Sequence, residues 1–312
     1  MAAADPAPYS LSVDTHPRDP DGLLAMPPPT PFAPVLLPTA ERVPAAPHPL
    51  GSLGVVTFNI HRGRSPEEIL AEARRLARRP DVDVIGWQEA FTHRAAFPPL
   101  LRDGWETAYF DEGARELPVS WRTGALEYVD SSQHLMHPGW PGRKRMKPAR
   151  YVARVTLRHR ASGFLVTVLN THLAPRTEDW ERPGHWRTTM SAERAREHLA
   201  RQAAMWRAVP GRYVVGTADL NMDFRSEAAV RPPGGPSRAW SNLAVANWAV
   251  LGAEQVLSTV TIPATGRDDL VYDCVHASAR SLANGWLEFA SHEALVGYGS
   301  DHAPVLVRFA LR

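Results

Sequence analysis

Short apolar runs separated by polar and glycine-containing punctuation begin at Leu53. Leu53-Gly-Val-Val-Thr-Phe-Asn-Ile60 is brief and rich in β-branched residues, which predicts a buried strand. Ser65-Pro66-Glu67-Glu68 then announces a helix: Ser65 can cap, Pro66 suits the first helical position, and Glu68 can close a capping box. Ile69, Ala73, Leu76 and Ala77 fall on one face of that helix. A second strand over 82–87 ends at Gln88-Glu89. Residues 151–159 and 164–170 read as strands joined by a hairpin turn at Arg160-Ala-Ser-Gly163. An amphipathic helix over about 191–209 stops at Pro210-Gly211, and strands are expected over 213–217, roughly 270–276, and 304–310. The stretch from about 91 to 147 is rich in glycine, proline and aromatics and carries no clear period. It predicts loops and short strands that shape a substrate-facing surface.

The first 50 residues show neither period. They hold 13 of the 29 prolines, and proline fixes φ and lacks a donor, so the segment can build neither ladders nor a packed core. The chain therefore divides into a flexible proline-rich arm over 1–52 and a catalytic-size domain over 53–312. The formal net charge is +2. Acids outnumber bases in the arm, so the body is modestly basic, which is compatible with a polyanionic partner. Cys274 is the single cysteine, which excludes an intrachain disulfide and a cysteine-rich zinc site. No apolar run approaches the ~20 residues that span a bilayer. The N-terminus lacks a basic stretch followed by an apolar one, so a cytoplasmic protein without stable membrane insertion is expected. Nothing in the chain calls for an obligate protein partner.

The candidate chemistry lies where strands stop. Asn59, Glu89, Asn170 with His172, Asp219 with Asn221, and Asp301 with His302 each terminate or begin a strand-like run, and Asp273 sits inside another. A rigid sheet presenting polar groups at its strand ends is a common way to build an enzyme site. Carboxylates and amide oxygens are hard ligands suited to Mg2+ or Mn2+. Amides and imidazoles donate to phosphate oxygens, and an Asp–His pair holds an imidazole in one orientation. Taken singly, each residue has a plainer reading: Asp219-Leu220-Asn221 as an Asx turn, Glu89 as a helix-start residue, Asp301-His302 as a cap. The set in this order is harder to explain that way.

Thr57-Phe-Asn-Ile-His-Arg-Gly63, Trp87-Gln-Glu89, Leu169-Asn-Thr-His-Leu173, Asp219-Leu-Asn221 and Ser300-Asp-His-Ala-Pro304 resemble the signature blocks of the endonuclease/exonuclease/phosphatase superfamily, to which deoxyribonuclease I belongs. The resemblance covers about 53–311 in the correct order. It implies an α/β (α+β) four-layer sandwich, two packed mixed β-sheets flanked by helices, with the site at one edge. It further implies Glu89 as principal metal carboxylate, with Asn59 beside it and Asp301 as a further metal-side carboxylate. Asp219 resembles the residue that orients or deprotonates the attacking water. Asn221 and Asn170 resemble the amides that position that carboxylate and the phosphate. His302 resembles the imidazole against the phosphate, Asp273 its partner, and His172 a histidine that assists the leaving oxygen. Two departures stand out: Ala218 replaces a usual glycine before Asp219, and Val271-Tyr-Asp-Cys274 replaces the usual surroundings of Asp273.

Three substrate readings follow. A nuclease acting on DNA or RNA is supported by Arg62 after Asn59 and by the Arg143-Lys144-Arg145 cluster with Lys147 and Arg150, which would neutralise backbone phosphates. A lipid or small-molecule phosphoester is the second, with Trp105, Trp121 and Trp140 as interface candidates. A binding module on a catalytically lost fold is the third, opposed by the presence of every acid, amide and imidazole the chemistry needs.

Overall fold

Alternate residues of the first strand face two different cores. A computed structural model describes residues 51–93, 96–111, 113–142, 146–179, 181–182, 185–222, 248–250, 260–262 and 267–312. In it β1 (Gly51–Asn59) sends Leu53 and Val55 into one core, and Val56 and Phe58, with Ile60 just beyond, into a second beneath α1 (Pro66–Ala77). Burial on both faces is why this strand reads as an unbroken apolar run. The helix begins as expected. Ser65 Oγ accepts from the Glu68 amide at 3.2 Å and Glu68 Oε2 accepts from the Ser65 amide at 2.8 Å. Reciprocal caps of this kind contribute about 1 kcal/mol.

β1 pairs in parallel with β2 (Val84–Gln88), and β2 carries the antiparallel β3 (Trp105–Ala108) and β4 (Val119–Arg122) beyond it. The second sheet is built on β5 (Leu126–His137), and a small ribbon of β6 (Trp140–Pro141) and β7 (Met146–Lys147) follows in the chain. β8 (Arg150–His159) joins β5 to β9 (Leu165–His172). After α2 (Met190–Ala208) comes β10 (Tyr213–Asp219), parallel to β9. The sequence reading ended the strand before α2 at residue 170. The observed strand runs two residues further and carries His172 itself.

Beyond β10 lie β11 (Trp248–Val250), a ribbon of β12 (Val260–Ile262) and β13 (Arg267–Leu270), and β14 (Asp273–Ser278). Asp273 therefore opens its strand rather than sitting within it. The short α3 (Ala279–Ala283) leads to β15 (Leu287–Ala294) and β16 (Val305–Leu311), which close the first sheet against β1. The strand orders are β15-β16-β1-β2-β4-β3 and β11-β14-β10-β9-β8-β5. Both sheets are mixed, and each holds one parallel pair bridged by a crossover helix, as parallel pairing requires.

The expected four-layer sandwich is therefore observed. Val55, Val84 and Val119 of the first sheet meet Val155, Val168 and Val215 of the second in one apolar cluster. α1 covers the outer face of the first sheet. On the second sheet, Trp206 of α2 lies against Gly216, where a Cβ would come within 2.6 Å of the indole. The flexible arm expected over 1–52 falls outside the described residues except for Gly51 and Ser52, which already belong to β1. Among the described residues no helix is long and apolar enough to cross a membrane.

Candidate active site

The two parallel pairs end at the same place. Asn59 closes β1, Gln88 closes β2, His172 closes β9 and Asp219 closes β10. Between the sheets at this end, valines give way to a buried polar network. Gln88 Nε2 donates to Asn170 Oδ1 at 2.7 Å, and Thr217 Oγ1 donates to the same oxygen at 3.0 Å. Such networks hold two layers in a single register when every member is satisfied.

Within the second sheet, register does the positioning. His172, Asp219 and Asp273 are direct cross-strand partners on three adjacent strands, so residues 47 and 54 positions apart in the chain stand side by side. Two carboxylates set directly opposite repel one another. Each is compensated separately. Asp219 Oδ2 accepts from Asn59 Nδ2 at 2.9 Å and lies 3.4 Å from His172 Nε2, while Asp219 Oδ1 accepts from the Asn221 amide at 2.9 Å. Asp273 Oδ2 pairs with His302 Nδ1 at 2.7 Å. Burial opposes charge on the His302 ring, but Asp273, with Asp219 and Asp301 beyond it, raises its affinity for a proton above the ordinary value.

The turn that delivers His302 is anchored to β1, because Ser300 Oγ donates to the Asn59 carbonyl at 2.7 Å and accepts from the His302 amide at 3.2 Å. Backbone strain gathers at the same end of the sandwich. Of the four non-glycine residues at positive φ among the described residues, His61, Glu89 and Asn221 adjoin these strand ends. Left-handed backbone costs such residues about 1–2 kcal/mol, and it persists where surrounding contacts fix it. Glu89 Oε2 accepts from the Arg62 amide at 3.3 Å, which stitches the loop after β1 to the end of β2.

The structure redistributes some expected roles. Asn170 is fully buried: Oδ1 takes two donors, and Nδ2 reaches the Trp87 and Pro118 carbonyls at 2.7 and 3.2 Å. All its capacity is spent tying the sheets together, so it is not placed to hold a phosphate. Asn221 Nδ2 likewise donates to the Leu173 carbonyl at 3.1 Å, and the Asp219-Leu220-Asn221 segment is the Asx turn of its plainer reading. Asn59 donates through Nδ2 to Asp219 and accepts the His61 amide at 3.0 Å through Oδ1, which leaves one Nδ2 hydrogen and one Oδ1 lone pair. Arg150 is not a surface cation. It is 8% exposed, ion-paired with Glu116, and donates to His172 Nδ1 at 3.2 Å. Arg143, Lys144 and Arg145 lie outside the described residues.

Glu116 had no local signal in the sequence, since it sits in the aperiodic stretch and meets His172 across 56 positions. Its Oε2 lies 3.5 Å from His172 Nδ1. Burial pushes the Glu116 carboxyl up, but Arg150 and then His172 outweigh it and hold it at about 2. The unfolded carboxyl titrates near about 4.3. The pairing therefore contributes its full stability above that value and loses it as pH falls toward about 2. In melting curves taken between pH 5 and 2, Glu116→Gln is expected to flatten the acid decline of Tm; a decline parallel to wild type would contradict this assignment.

A divalent cation fits the cluster chemically. Asp219, Asp273 and His302 each place one ligand atom within 4.8 Å of the others, and Asp273 Oδ1, fully buried, has no hydrogen-bond partner among the described residues. An orphaned carboxylate oxygen beside a second carboxylate is a demand that a hard cation meets. Glu89 and Asp301 of the expected metal set do not join this trio. The Glu89 carboxylate turns to the Arg62 amide, and Asp301 is exposed. Beside His172 a cleft of about 560 Å³ opens, lined among others by Arg62, Glu89, Phe91, Arg115, Glu116 and Arg150.

No protein-family model and no curated protein matches the sequence. Solved structures do match. An endonuclease/exonuclease/phosphatase family protein from Bacteroides thetaiotaomicron aligns over 85% of this chain and 99% of its own, at 14% identity and a TM-score of 0.61. A mannosyl-6-phosphatase from the same organism covers 83% and 100%, at 14% identity and a TM-score of 0.60. D. rerio TDP2 complexed with a single-strand DNA product covers 83% and 99%, at 14% identity and a TM-score of 0.56. At these identities the likeness is one of fold.

Proposed function

Because the chain has the endonuclease/exonuclease/phosphatase fold, we propose that it is a divalent-metal-dependent phosphodiesterase whose substrate is nucleic acid. The observation that carries this reading is the cross-strand row of His172, Asp219 and Asp273, completed by His302 on Asp273. Mg2+ or Mn2+, when bound, would supply Lewis-acid charge that offsets the negative charge developing on the phosphoester. Asp219 and Asp273 are the carboxylates that would hold it, with Glu89 and Asp301 at the margin of the same site.

The chain's own residues do the rest. Asp219, fixed at both oxygens by Asn59 and the Asn221 amide, orients the attacking water and accepts its proton. His302, its Nδ1 committed to Asp273, offers Nε2–H and positive charge to a phosphoryl oxygen. His172, held at Nδ1 between Arg150 and Glu116, turns Nε2 toward Asp219 and the departing oxygen. One water adds across the P–O bond, which leaves a phosphate monoester and a free hydroxyl. Nucleic acid is favoured as substrate by the cleft's exposed cations, Arg62 and Arg115, and by the single-strand DNA product bound to D. rerio TDP2. The catalytic domain in this reading begins with β1 at Gly51 and runs to residue 312, and the proline-rich segment before it is the arm.

The test is hydrolysis of supercoiled plasmid, single-stranded DNA, RNA and bis-p-nitrophenyl phosphate with Mg2+, Mn2+ or EDTA. Metal-dependent cleavage of a nucleic acid is the expected result. Cleavage of the small diester alone would keep the chemistry and transfer the substrate to lipids or small phosphoesters. Turnover of none would leave a binding module.

A further inference from the structure

The cleft beside His172 is larger than a phosphate needs, and its lining combines an ion pair with aromatic and exposed cationic groups. Next to His172 the charges are already matched: Arg150 is buried and ion-paired with Glu116. In the same cleft the half-buried ring of Phe91 carries the exposed Arg115 guanidinium, with Cζ 5.5 Å from the ring centroid. Met146, 62% exposed, and the Arg62 side chain, 60% exposed, border the same space. The ring of Tyr151 also lines the cleft, so close to Gly113 that a Cβ there would sit 2.1 Å from its Cζ. An aromatic face and a planar cation, at a fixed offset from a phosphoester site, complement a flat ring that carries phosphates.

We propose that Phe91 and Arg115 form a stacking subsite for an unpaired base beside the scissile phosphate, which makes single-stranded nucleic acid the substrate class. This rests on the phosphodiesterase reading above. A base within a duplex has both faces covered by its neighbours and cannot enter a concave cleft without being flipped out, whereas a single strand offers its faces at little cost. Sugar hydroxyls would call for carboxylates or amides with spare acceptors beside the aromatic ring. Phe91, Arg115 and Met146 offer no such acceptor groups. Arg62 and Arg115 suit the flanking phosphates.

The decisive comparison is cleavage by the full chain, with Mg2+ or Mn2+, of a short single-stranded oligonucleotide and its abasic counterpart, which keeps every phosphate and loses every base. Base–aromatic stacking predicts a preference of about tenfold in kcat/KM for the base-bearing strand. Phe91→Ala is expected to collapse that ratio toward unity, and Phe91→Leu, which keeps the bulk without the π-face, to do the same; Phe91→Trp should retain it. A wild-type ratio near one, or an undiminished ratio in Phe91→Ala and Phe91→Leu, would overturn the subsite while leaving the phosphodiesterase reading intact. So would faster cleavage of the paired duplex than of the single strand. Failure of the wild-type protein on both strands and on bis-p-nitrophenyl phosphate would overturn the underlying reading as well.

Discussion

Asp219→Asn is expected to lower kcat by about 10³-fold while the protein stays folded. The carboxylate closes β10 at the centre of the cross-strand row, with both oxygens held by donors, so its position does not depend on its charge. An amide keeps the shape and loses the basic oxygen. It also sets its own NH2 against either Asn59 Nδ2 or the Asn221 amide, because both neighbours donate. One donor facing another costs about 1–3 kcal/mol, which is several degrees of Tm in a domain of this size. Circular dichroism and a melting curve therefore accompany the kinetics. A loss of turnover with a modest fall in Tm is the expected signature, and turnover near wild type would remove Asp219 from the chemistry.

Gly86→Ala is expected to damage stability and activity together. Gly86 lies in β2 facing β10, and an added Cβ would fall 1.9 Å from Thr217 Oγ1, 2.7 Å from Thr217 Cβ and 3.1 Å from Asn170 Oδ1. The near neighbours are a β-branched side chain and a buried amide already bonded to it, so neither can swing aside. Overpacking of this kind costs typically about 1–3 kcal/mol and can exceed it where a buried hydrogen bond is lost as well. Thr217 stands two residues before Asp219, so wedging the sheets apart here displaces the carboxylate. Urea denaturation and kcat should fall in the same variant. Adding Thr217→Gly, which vacates the space, should restore part of both. A Gly86→Ala protein with wild-type midpoint and kcat would show that the sheets do not close on each other at this point.

Neither consequence of Gly86 is visible in the sequence, because a glycine in an apolar run reads only as a weak strand position. What was legible shares a common cause. β1, β2, β9 and β10 are buried on both faces or nearly so, and their apolar runs stop abruptly at Asn59, Gln88, Asn170 and Asp219. The helix over Pro66–Ala77 announces itself through local capping chemistry. β5 fails in the opposite way. Its twelve residues form an edge strand with half of its positions exposed, and register shifts near Tyr128 and Leu135 break the alternation that would betray it. β15, also at an edge and irregular near Phe289, was missed for the same reason.

Glu116 and Arg150 belong to a further category. Their meaning lies in a contact with His172 across the second sheet and its neighbouring loop, and no spacing rule encodes it. Asn170 illustrates the converse: a side chain within a signature block whose hydrogen bonds are all structural.

The most direct measurement of the central claim is the initial rate of phosphodiester hydrolysis, for wild type and Asp219→Asn side by side, in EDTA and after Mg2+ or Mn2+ is restored. A rate in the wild type alone, absent in EDTA and recovered with the metal, is the predicted result. Hydrolysis that persists in EDTA, or that Asp219→Asn catalyses as well as wild type, would contradict it.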